Sequence, residues 1–155
     1  MAAFEDFIQV GKKFVSPGRT ISEGDFSLLV NLTWSTFSFH TDREYMKETQ
    51  FEERILPGTC TLACTSGLAT QIRGLREVFM QDGFRIVAML GLERIRFTAP
   101  VKPGDTLTVH AEITGIRPTR KNPKRGIAET HFTAVNQEEQ EVISYTLVDL
   151  VELTD

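Results

Sequence analysis

The chain has 155 residues and a mass of 17.5 kDa, the usual size of one domain with a single core, so we expect one domain over residues 1–155. Hydrophobic residues make up 41% and charged residues 25% of the sequence, which excludes collagen-like and low-complexity chains. The 17 basic residues are outnumbered by 21 acidic residues, so the chain lacks a global field that would attract nucleic acid, and we expect no nucleic-acid partner.

No run of about 18 uncharged apolar residues is present, and the first residues include acids without the apolar segment of a signal peptide. We therefore expect a cytoplasmic protein with no membrane partner. The only cysteines, Cys60 and Cys64, lie four positions apart within one predicted helix, where an unstrained disulfide is difficult to form. No other cysteine or histidine is near them in sequence, so we expect free thiols and no bound metal.

The N-terminal third predicts two short helices. Apolar Phe26, Leu29 and Val30 suit a helix whose first turn carries acids, although a strand is the competing interpretation. Further along, Thr41 opens a Thr-x-x-Glu capping box, which predicts a second helix ending near Lys47.

A longer periodic pattern follows and predicts a central helix over residues 58–80. The positions that form its stripe recur at intervals of three or four residues and are Leu62, Ser66, Ala69, Ile72, Leu75 and Phe79. Small residues crowd the first half of this helix, including Gly58 and Gly67, although glycine destabilises a helix by about 1 kcal/mol relative to alanine. The pattern therefore predicts that a neighbouring group approaches this half closely.

The second half of the chain predicts strands. Residues 107–114 alternate between apolar and polar side chains, and residues 86–99, 126–135 and 142–151 are also typical of strands. Four long strands and one buried helix favour an α+β fold in which an antiparallel sheet wraps around the helix.

Three residues in this pattern are candidates for chemistry. His40 is a candidate because histidine is the side chain type suited to proton transfer near neutral pH, and it is predicted to precede the second short helix directly; packing or capping of that helix is the alternative interpretation. Gly58 at a helix start offers N–H groups to a polarised carbonyl oxygen, or simply begins the helix. Ser66 is about two turns further along the helix, where a serine often bonds only a backbone carbonyl.

A basic loop over residues 117–125 is the remaining candidate. It holds five of the 17 basic residues and no acid, namely Arg117, Arg120, Lys121, Lys124 and Arg125. A solvated hairpin tip and a site for the phosphates of a ligand are both open interpretations.

Together these residues resemble the MaoC-like dehydratase family, the (R)-specific enoyl-CoA hydratases built on the hot dog fold. The resemblance covers residues 19–151. Its motifs are Arg19-Thr-Ile-Ser-Glu-Gly-Asp25, His40-Thr-Asp42, Arg54-Ile-Leu-Pro-Gly58 followed by Ser66-Gly67, Arg96-Phe-Thr-Ala-Pro-Val-Lys-Pro-Gly-Asp-Thr-Leu107, and Pro118-Thr-Arg-Lys-Asn-Pro-Lys-Arg-Gly126. The last motif is similar to the basic hairpin of that family.

The resemblance implies reversible addition of water to a trans-2-enoyl-CoA thioester. His40 matches the family histidine, Gly58 the glycine whose N–H polarises the thioester carbonyl, and Ser66 the supporting helix serine. Coenzyme A would enter only as part of the substrate, with no other cofactor. Three positions depart from the family: Ser35 stands where an aspartate would activate water, Phe37 where the family has an asparagine, and Ser38 where it has a proline. A serine hydroxyl cannot act as a carboxylate base near pH 7.

The resemblance therefore leaves more than one function open. A hydratase or dehydratase is favoured, and a non-catalytic acyl-thioester-binding hot dog protein or an acyl-CoA thioesterase is the alternative. Because sheets with a long exposed edge tend to pair, we expect a homodimer or a higher homo-oligomer.

Overall fold

The computed structural model describes residues 3–154, and the described chain forms one six-stranded antiparallel sheet packed against helices. The strands are β1 (Lys13–Val15), β2 (Arg19–Thr20), β3 (Phe84–Phe97), β4 (Thr106–Pro118), β5 (Arg125–Val135) and β6 (Glu141–Leu153). Their order across the sheet is β1-β4-β5-β6-β3, and β2 pairs with the first residues of β4. The expected α+β architecture is confirmed, as are the four long strands.

The helices are α1 (Glu23–Leu32), α2 (Ser38–Thr41), α3 (Arg43–Lys47), α4 (Gly58–Ala69) and α5 (Arg73–Phe79), after a short 3-10 helix at Phe4–Asp6. For α1 the helical interpretation is confirmed over the strand. Ser22 and Asp25 cap its start reciprocally: the Ser22 hydroxyl accepts from the Asp25 N–H, and the Asp25 carboxylate accepts from the Ser22 N–H.

The predicted cap of the second short helix is wrong by one residue. Asp42, rather than Thr41, caps α3 by accepting a hydrogen bond from the N–H of Tyr45 at 2.9 Å. The Thr41 hydroxyl instead donates to the carbonyl of Phe37. His40 consequently lies inside the single turn of α2 and does not directly precede α3.

The predicted helix over residues 58–80 is two helices. The N–H groups of Thr70, Gln71 and Ile72 bond carbonyls three residues back, which tightens and ends α4, and the Thr70 hydroxyl donates to the Gly67 carbonyl at 2.6 Å. The buried Ile72 then adopts an extended conformation, and α5 begins at Arg73. The sequence pattern predicted one continuous helix because the buried Ile72 keeps the apolar spacing across the break.

The core lies between α4 and the concave face of the sheet. The buried face of α4 consists of Cys60, Thr61, Thr65, Leu68 and Ala69, so it is rotated from the predicted stripe, and Leu62 and Ser66 are only half-buried. Buried threonines are tolerated there because the Thr65 hydroxyl donates back to the carbonyl of Thr61 at 2.9 Å. Both cysteines are free thiols.

No helix within residues 3–154 is long and apolar enough to span a membrane. The single-domain prediction for residues 1–155 includes Met1, Ala2 and Asp155, which lie outside the described residues. One domain and a cytoplasmic location stay predictions from the sequence.

Candidate functional site

The ring of His40 is fixed by a hydrogen bond to the chain segment that leads into α4. Its Nδ1 lies 2.7 Å from the carbonyl oxygen of Ile55, and the N–H of Ile55 donates to the carbonyl of Phe39. A carbonyl oxygen only accepts, so Nδ1 carries the proton and Nε2 of the neutral ring keeps its lone pair. His40 is half-buried, and the arrangement leaves Nε2 as a base.

The first turn of α4 begins three residues after Ile55. Pro57 provides no side-chain cap, so the N–H groups of this turn, beginning with Gly58, have no side-chain partner among residues 3–154. The approach to Gly58 is close on one side, because a Cβ there would lie 3.1 Å from ring atoms of Phe97 at the end of β3. A helix start with open N–H groups is suited to stabilise negative charge on a carbonyl oxygen.

The segment before Gly58 is anchored at two further points. The N–H of Leu56 donates to the carbonyl of Val101 at 2.7 Å. Arg54 pairs with Glu23 on α1 at 2.8 Å and lies over the ring of Phe26, and this hydrogen bond holds the pKa of the Glu23 carboxyl below its usual value. Both contacts fix the start of α4 relative to α1 and the sheet.

Ser35 lies at the end of α1 and faces other hydroxyl groups. Its hydroxyl accepts from Thr33 at 3.1 Å, and Thr33 in turn lies 3.5 Å from the thiol of Cys60. Within residues 3–154, no carboxylate bonds or pairs with Ser35 or His40. Asp25 and Asp42, two acids nearby in sequence, act as helix caps.

Ser66 is separated from this end of α4 by about 12 Å, from eight residues at the helical rise. Its hydroxyl lies 3.4 Å from the hydroxyl of Tyr145 on β6, and burial raises the pKa of that phenol. Ser66 also lines a cavity of about 310 Å³ between α4, α5 and the sheet, which His40 and Gly58 do not line.

The sequence analysis missed one residue of this cavity. Asp149 on β6 lines it and is only 5% exposed, and burial raises the pKa of its carboxyl to about 6. A signal was present in the sequence, because Asp149 is the one charged residue among residues 142–151, an otherwise uncharged strand.

The basic hairpin connects β4 to β5 at the opposite end of the sheet from Gly58. In the β4–β5 pairing Pro118 lies opposite Gly126, and in the β5–β6 pairing Arg125 lies opposite Glu152 near the end of β6. Arg125 and Arg85 both pair with Glu152, and the hydrogen bond from Arg85 contributes most to lowering the pKa of that carboxyl.

The tip of the hairpin is more accessible. Arg117, Arg120, Lys121 and Lys124 are exposed, and Arg120 and Lys121 have no ion pair within the described part of the chain. The structure thus groups His40 with Gly58, places Ser66 further along α4, and separates the hairpin from all three. Across residues 3–154, no group of three or more His, Cys, Asp or Glu side chains could hold a metal ion.

Comparison with known proteins adds to this geometry. The family model for the MaoC-like domain matches residues 6–136. The chain belongs to the MaoC-like domain family. The resemblance seen in the sequence is therefore confirmed.

Characterised relatives of this family member include hydratases and dehydratases. It is 31% identical over 119 residues to the (R)-specific enoyl-CoA hydratase of Rhodospirillum rubrum, covering 76% of this chain and 74% of that protein. It is 29% identical to the Beta-methylmalyl-CoA dehydratase of Chloroflexus aurantiacus and 35% identical to Protein MaoC of Klebsiella aerogenes, covering 92% and 68% of this chain. The chain spans only 38% and 29% of the lengths of those two proteins.

Solved structures agree with the family fold. The Monoamine oxidase regulatory protein from Archaeoglobus fulgius superposes with a TM-score of 0.83 and 28% identity, covering 99% of this chain and 96% of that one. A conserved hypothetical protein from Mycobacterium tuberculosis with a double hotdog fold superposes with a TM-score of 0.77 and 20% identity, covering 99% of this chain and 44% of that one. This MaoC-like protein accordingly has the hot dog fold.

Proposed function

We propose that the protein is an acyl-CoA hydratase or dehydratase that adds water reversibly to a trans-2-enoyl-CoA. The observation that carries the proposal is the hydrogen bond from His40 Nδ1 to the Ile55 carbonyl at 2.7 Å. This bond presents a basic Nε2 beside the segment that opens α4, where Gly58 supplies N–H groups for a carbonyl oxygen. Membership of the family and the named activity of the Rhodospirillum relative support the same reaction.

The reaction then needs one base and one oxyanion site. Nε2 of His40 removes a proton from water while the water oxygen forms a bond to C3 of the enoyl group. The electron pair of the C2–C3 double bond moves toward the thioester, and the N–H of Gly58 stabilises the oxygen of the resulting enolate. The His40 imidazolium returns its proton to C2, which completes the addition of water. Ser66 supports the wall of the acyl-binding region.

The serine at position 35 favours a second candidate, a protein that binds acyl thioesters without hydrating them. A carboxylate at position 35 would assist His40, and the structure offers no carboxylate in its place within residues 3–154. Loss of one general acid–base group commonly lowers a rate by about 10²–10⁴. Binding without turnover is the expected result if His40 alone is insufficient.

Hydration assays on four proteins separate the two candidates. Crotonyl-CoA is supplied and loss of its ultraviolet enoyl absorbance is followed for the parent, His40→Ala, Ser35→Asp and the double variant Ser35→Asp with Phe37→Asn. A hydratase loses about 10²–10⁴ of its rate in His40→Ala, because the base is removed. Ser35→Asp raises the rate, and the double variant raises it further if Phe37 crowds the new carboxylate.

His110→Ala is the matched control, since His110 is exposed on β4 and is placed in no proposed role. Equal turnover in the parent and in His40→Ala contradicts the mechanism and makes His40 structural. A parent that binds crotonyl-CoA without turnover, together with a double variant that gains turnover, identifies the natural protein as an acyl-thioester binder.

We further propose that the active unit is a homodimer formed through β3. This 14-residue strand is one edge of the sheet, and it exposes Met89, Leu90 and Phe97 at 63%, 54% and 54%. Long apolar edges are stabilised by pairing with another strand. Phe97 also contacts the position of Gly58, and Ile86 lines the cavity beside Ser66, so a second copy on this edge would border both parts of the site.

The same dimer would bring the basic hairpin to the site of the partner subunit. Within one chain, Arg85 and Phe97 are separated by up to about 40 Å along β3 at the usual strand rise, further than an extended pantetheine arm reaches. A twofold axis that pairs β3 with its copy antiparallel places the Arg85 end of one strand beside the Phe97 end of the other. Coenzyme A phosphates at one site would then be bound by Arg120 and Lys121 of the second copy.

A further inference from the structure

Asp149 is a buried carboxyl group without a counter-charge. It is 5% exposed and lines the cavity between α4, α5 and the sheet. None of the residues 3–154 forms a hydrogen bond or an ion pair with its side chain, and burial alone raises the pKa of the carboxyl to about 6. A buried acid of this kind costs free energy unless something hydrogen-bonds to it.

The residues other than Asp149 that line the cavity are uncharged, with one exception, and include Ser66, Thr70 and Thr130 with their hydroxyl groups. The lining residues contributed by α4, β3 and β5 are uncharged, and the other charged residue of the cavity is Arg76 on α5. Arg76 is exposed and lies beyond 4.0 Å from the carboxylate, since the two form no ion pair in the described chain. On β6 itself, Tyr145 is hydrogen-bonded with Ser66, and Glu152 pairs with Arg85 and Arg125.

The cavity is large enough to hold part of an acyl chain. Its volume of about 310 Å³ equals that of roughly ten water molecules at ~30 Å³ each. Ser66 lines one part of it and Asp149 another, and Asp149 is four residues beyond Tyr145 along β6. An acyl chain whose thioester lies at Gly58 would pass Ser66 first and reach Asp149 with its distal part.

We propose that Asp149 makes this cavity selective for acyl chains that carry a hydroxyl group near their distal end. The inference rests on the proposed function, because it places the thioester at Gly58. A distal hydroxyl donates to the Asp149 carboxylate and supplies the hydrogen bond that the fold leaves unmade. An unsubstituted chain removes the remaining water from the carboxyl and must bind the protein with Asp149 protonated.

The test measures binding rather than turnover. Saturated acyl-CoAs from octanoyl to hexadecanoyl and their ω-hydroxy counterparts, none of which can be hydrated, are titrated calorimetrically into the parent, Asp149→Leu and Arg76→Gln. At the chain length that reaches Asp149, the parent binds the ω-hydroxy compound at least about tenfold more tightly than the unsubstituted compound. Asp149→Leu loses this preference and binds the unsubstituted chain more tightly than the parent does. Arg76→Gln keeps the preference for the ω-hydroxy compound.

The pH dependence of acyl-CoA binding gives a second test, because a purely structural role of Asp149 would not affect it. The affinity of the parent for the unsubstituted chain falls above pH 6, by up to about tenfold per pH unit, and binding takes up a proton. In Asp149→Leu both effects disappear, while the exposed Asp82→Asn control behaves as the parent.

Several results would overturn the inference. They are equal affinity for the two series at every length, a preference that survives Asp149→Leu, and a preference lost only in Arg76→Gln. Tight, hydroxyl-selective binding without crotonyl-CoA hydration would contradict the hydratase proposal and leave the role of Asp149 intact. Absence of binding by any acyl-CoA would contradict both.

Discussion

At the scale of single residues, His40 and Asp149 differ in how the fold treats a titratable group. His40 receives one fixed partner, the Ile55 carbonyl at 2.7 Å, and this partner decides which ring nitrogen holds the proton. Asp149 receives no hydrogen-bond or ion-pair partner within residues 3–154 and is buried in a cavity whose lining is mostly uncharged. The ring of His40 therefore has a fixed orientation, and the ionised carboxylate of Asp149 is destabilising because burial raises its pKa to about 6.

Burial of the Asp149 carboxyl group predicts that the free energy of unfolding depends on pH. Its pKa is raised from 3.8 to about 6 in the folded chain, so the folded state binds the proton more tightly than the unfolded state does. The contribution to stability is therefore fully present below about pH 4 and is lost as pH rises through about 6. A shift of this size corresponds to about 3 kcal/mol as an upper value.

We expect Asp149→Asn to have a higher free energy of unfolding than the parent at neutral pH, by up to about 3 kcal/mol. Urea denaturation of both proteins at about pH 5 and about pH 7.5 measures the effect. The exposed Asp82→Asn should match the parent at both values. An equal pH dependence in the parent and in Asp149→Asn would show that the carboxyl is ionised at no cost.

At the scale of elements, α4 is distinguished by its glycines. The small residues in the first half of the predicted helix over residues 58–80 predicted a close neighbour, and the structure confirms one at Gly58, where a Cβ would lie 3.1 Å from Phe97. A Cβ at Gly67 would meet no atom from another part of the described chain within 4 Å. The same residue type therefore has two roles in one helix.

This difference gives a matched pair of substitutions. We expect Gly67→Ala to raise the free energy of unfolding by about 0.5–1 kcal/mol, because alanine loses less backbone entropy in a helix. Gly58→Ala should give no such gain, since the Phe97 ring must move away from the new methyl group. Urea denaturation compares the two variants. A gain at Gly58→Ala as large as at Gly67→Ala would indicate that Phe97 moves without cost.

At the scale of the whole molecule, the proposed dimer depends on β3. We expect Met89→Lys combined with Leu90→Lys to convert a dimer into a monomer of 17.5 kDa, because two charges would be buried at the new strand pair. Sedimentation equilibrium measures the mass. Val15→Lys, equally exposed at 56% on β1 at the opposite edge, is the control and should leave the dimer intact. A monomeric parent at micromolar concentration would contradict the proposal.

The assignment of the hairpin to the partner site can be tested by mixing two variants that are each impaired at a different part of the site. Arg120→Ala with Lys121→Ala should weaken thioester binding and reduce its salt dependence, while His40→Ala removes the base. A mixed dimer combines the intact His40 of one chain with the intact hairpin of the other, so about a quarter of parental activity should return after subunit exchange.

Two outcomes would contradict that assignment. No recovery in proven mixed dimers would place the hairpin and His40 of one chain at the same site. Unchanged affinity and salt dependence in the hairpin variant would make the tip a solvated loop.

The sequence alone determined the alternating strands, the start of α4 and the motif around His40, because these depend on local periodicity, turn chemistry and residue type. It did not determine the break between α4 and α5, since Ile72 keeps the apolar spacing while its backbone leaves the helix. The short strands β1 and β2 were likewise missed, because their pairing with β4 is long-range.

For the site, the sequence identified residue types, and the tertiary structure decided which of them meet. Only strand register shows that the basic hairpin lies at the far end of the sheet from Gly58. Only packing shows that Asp149 lines the same cavity as Ser66, because the two residues are 83 positions apart in the chain. Distances between such residues are set by how strands and helices pack, which local sequence patterns do not encode.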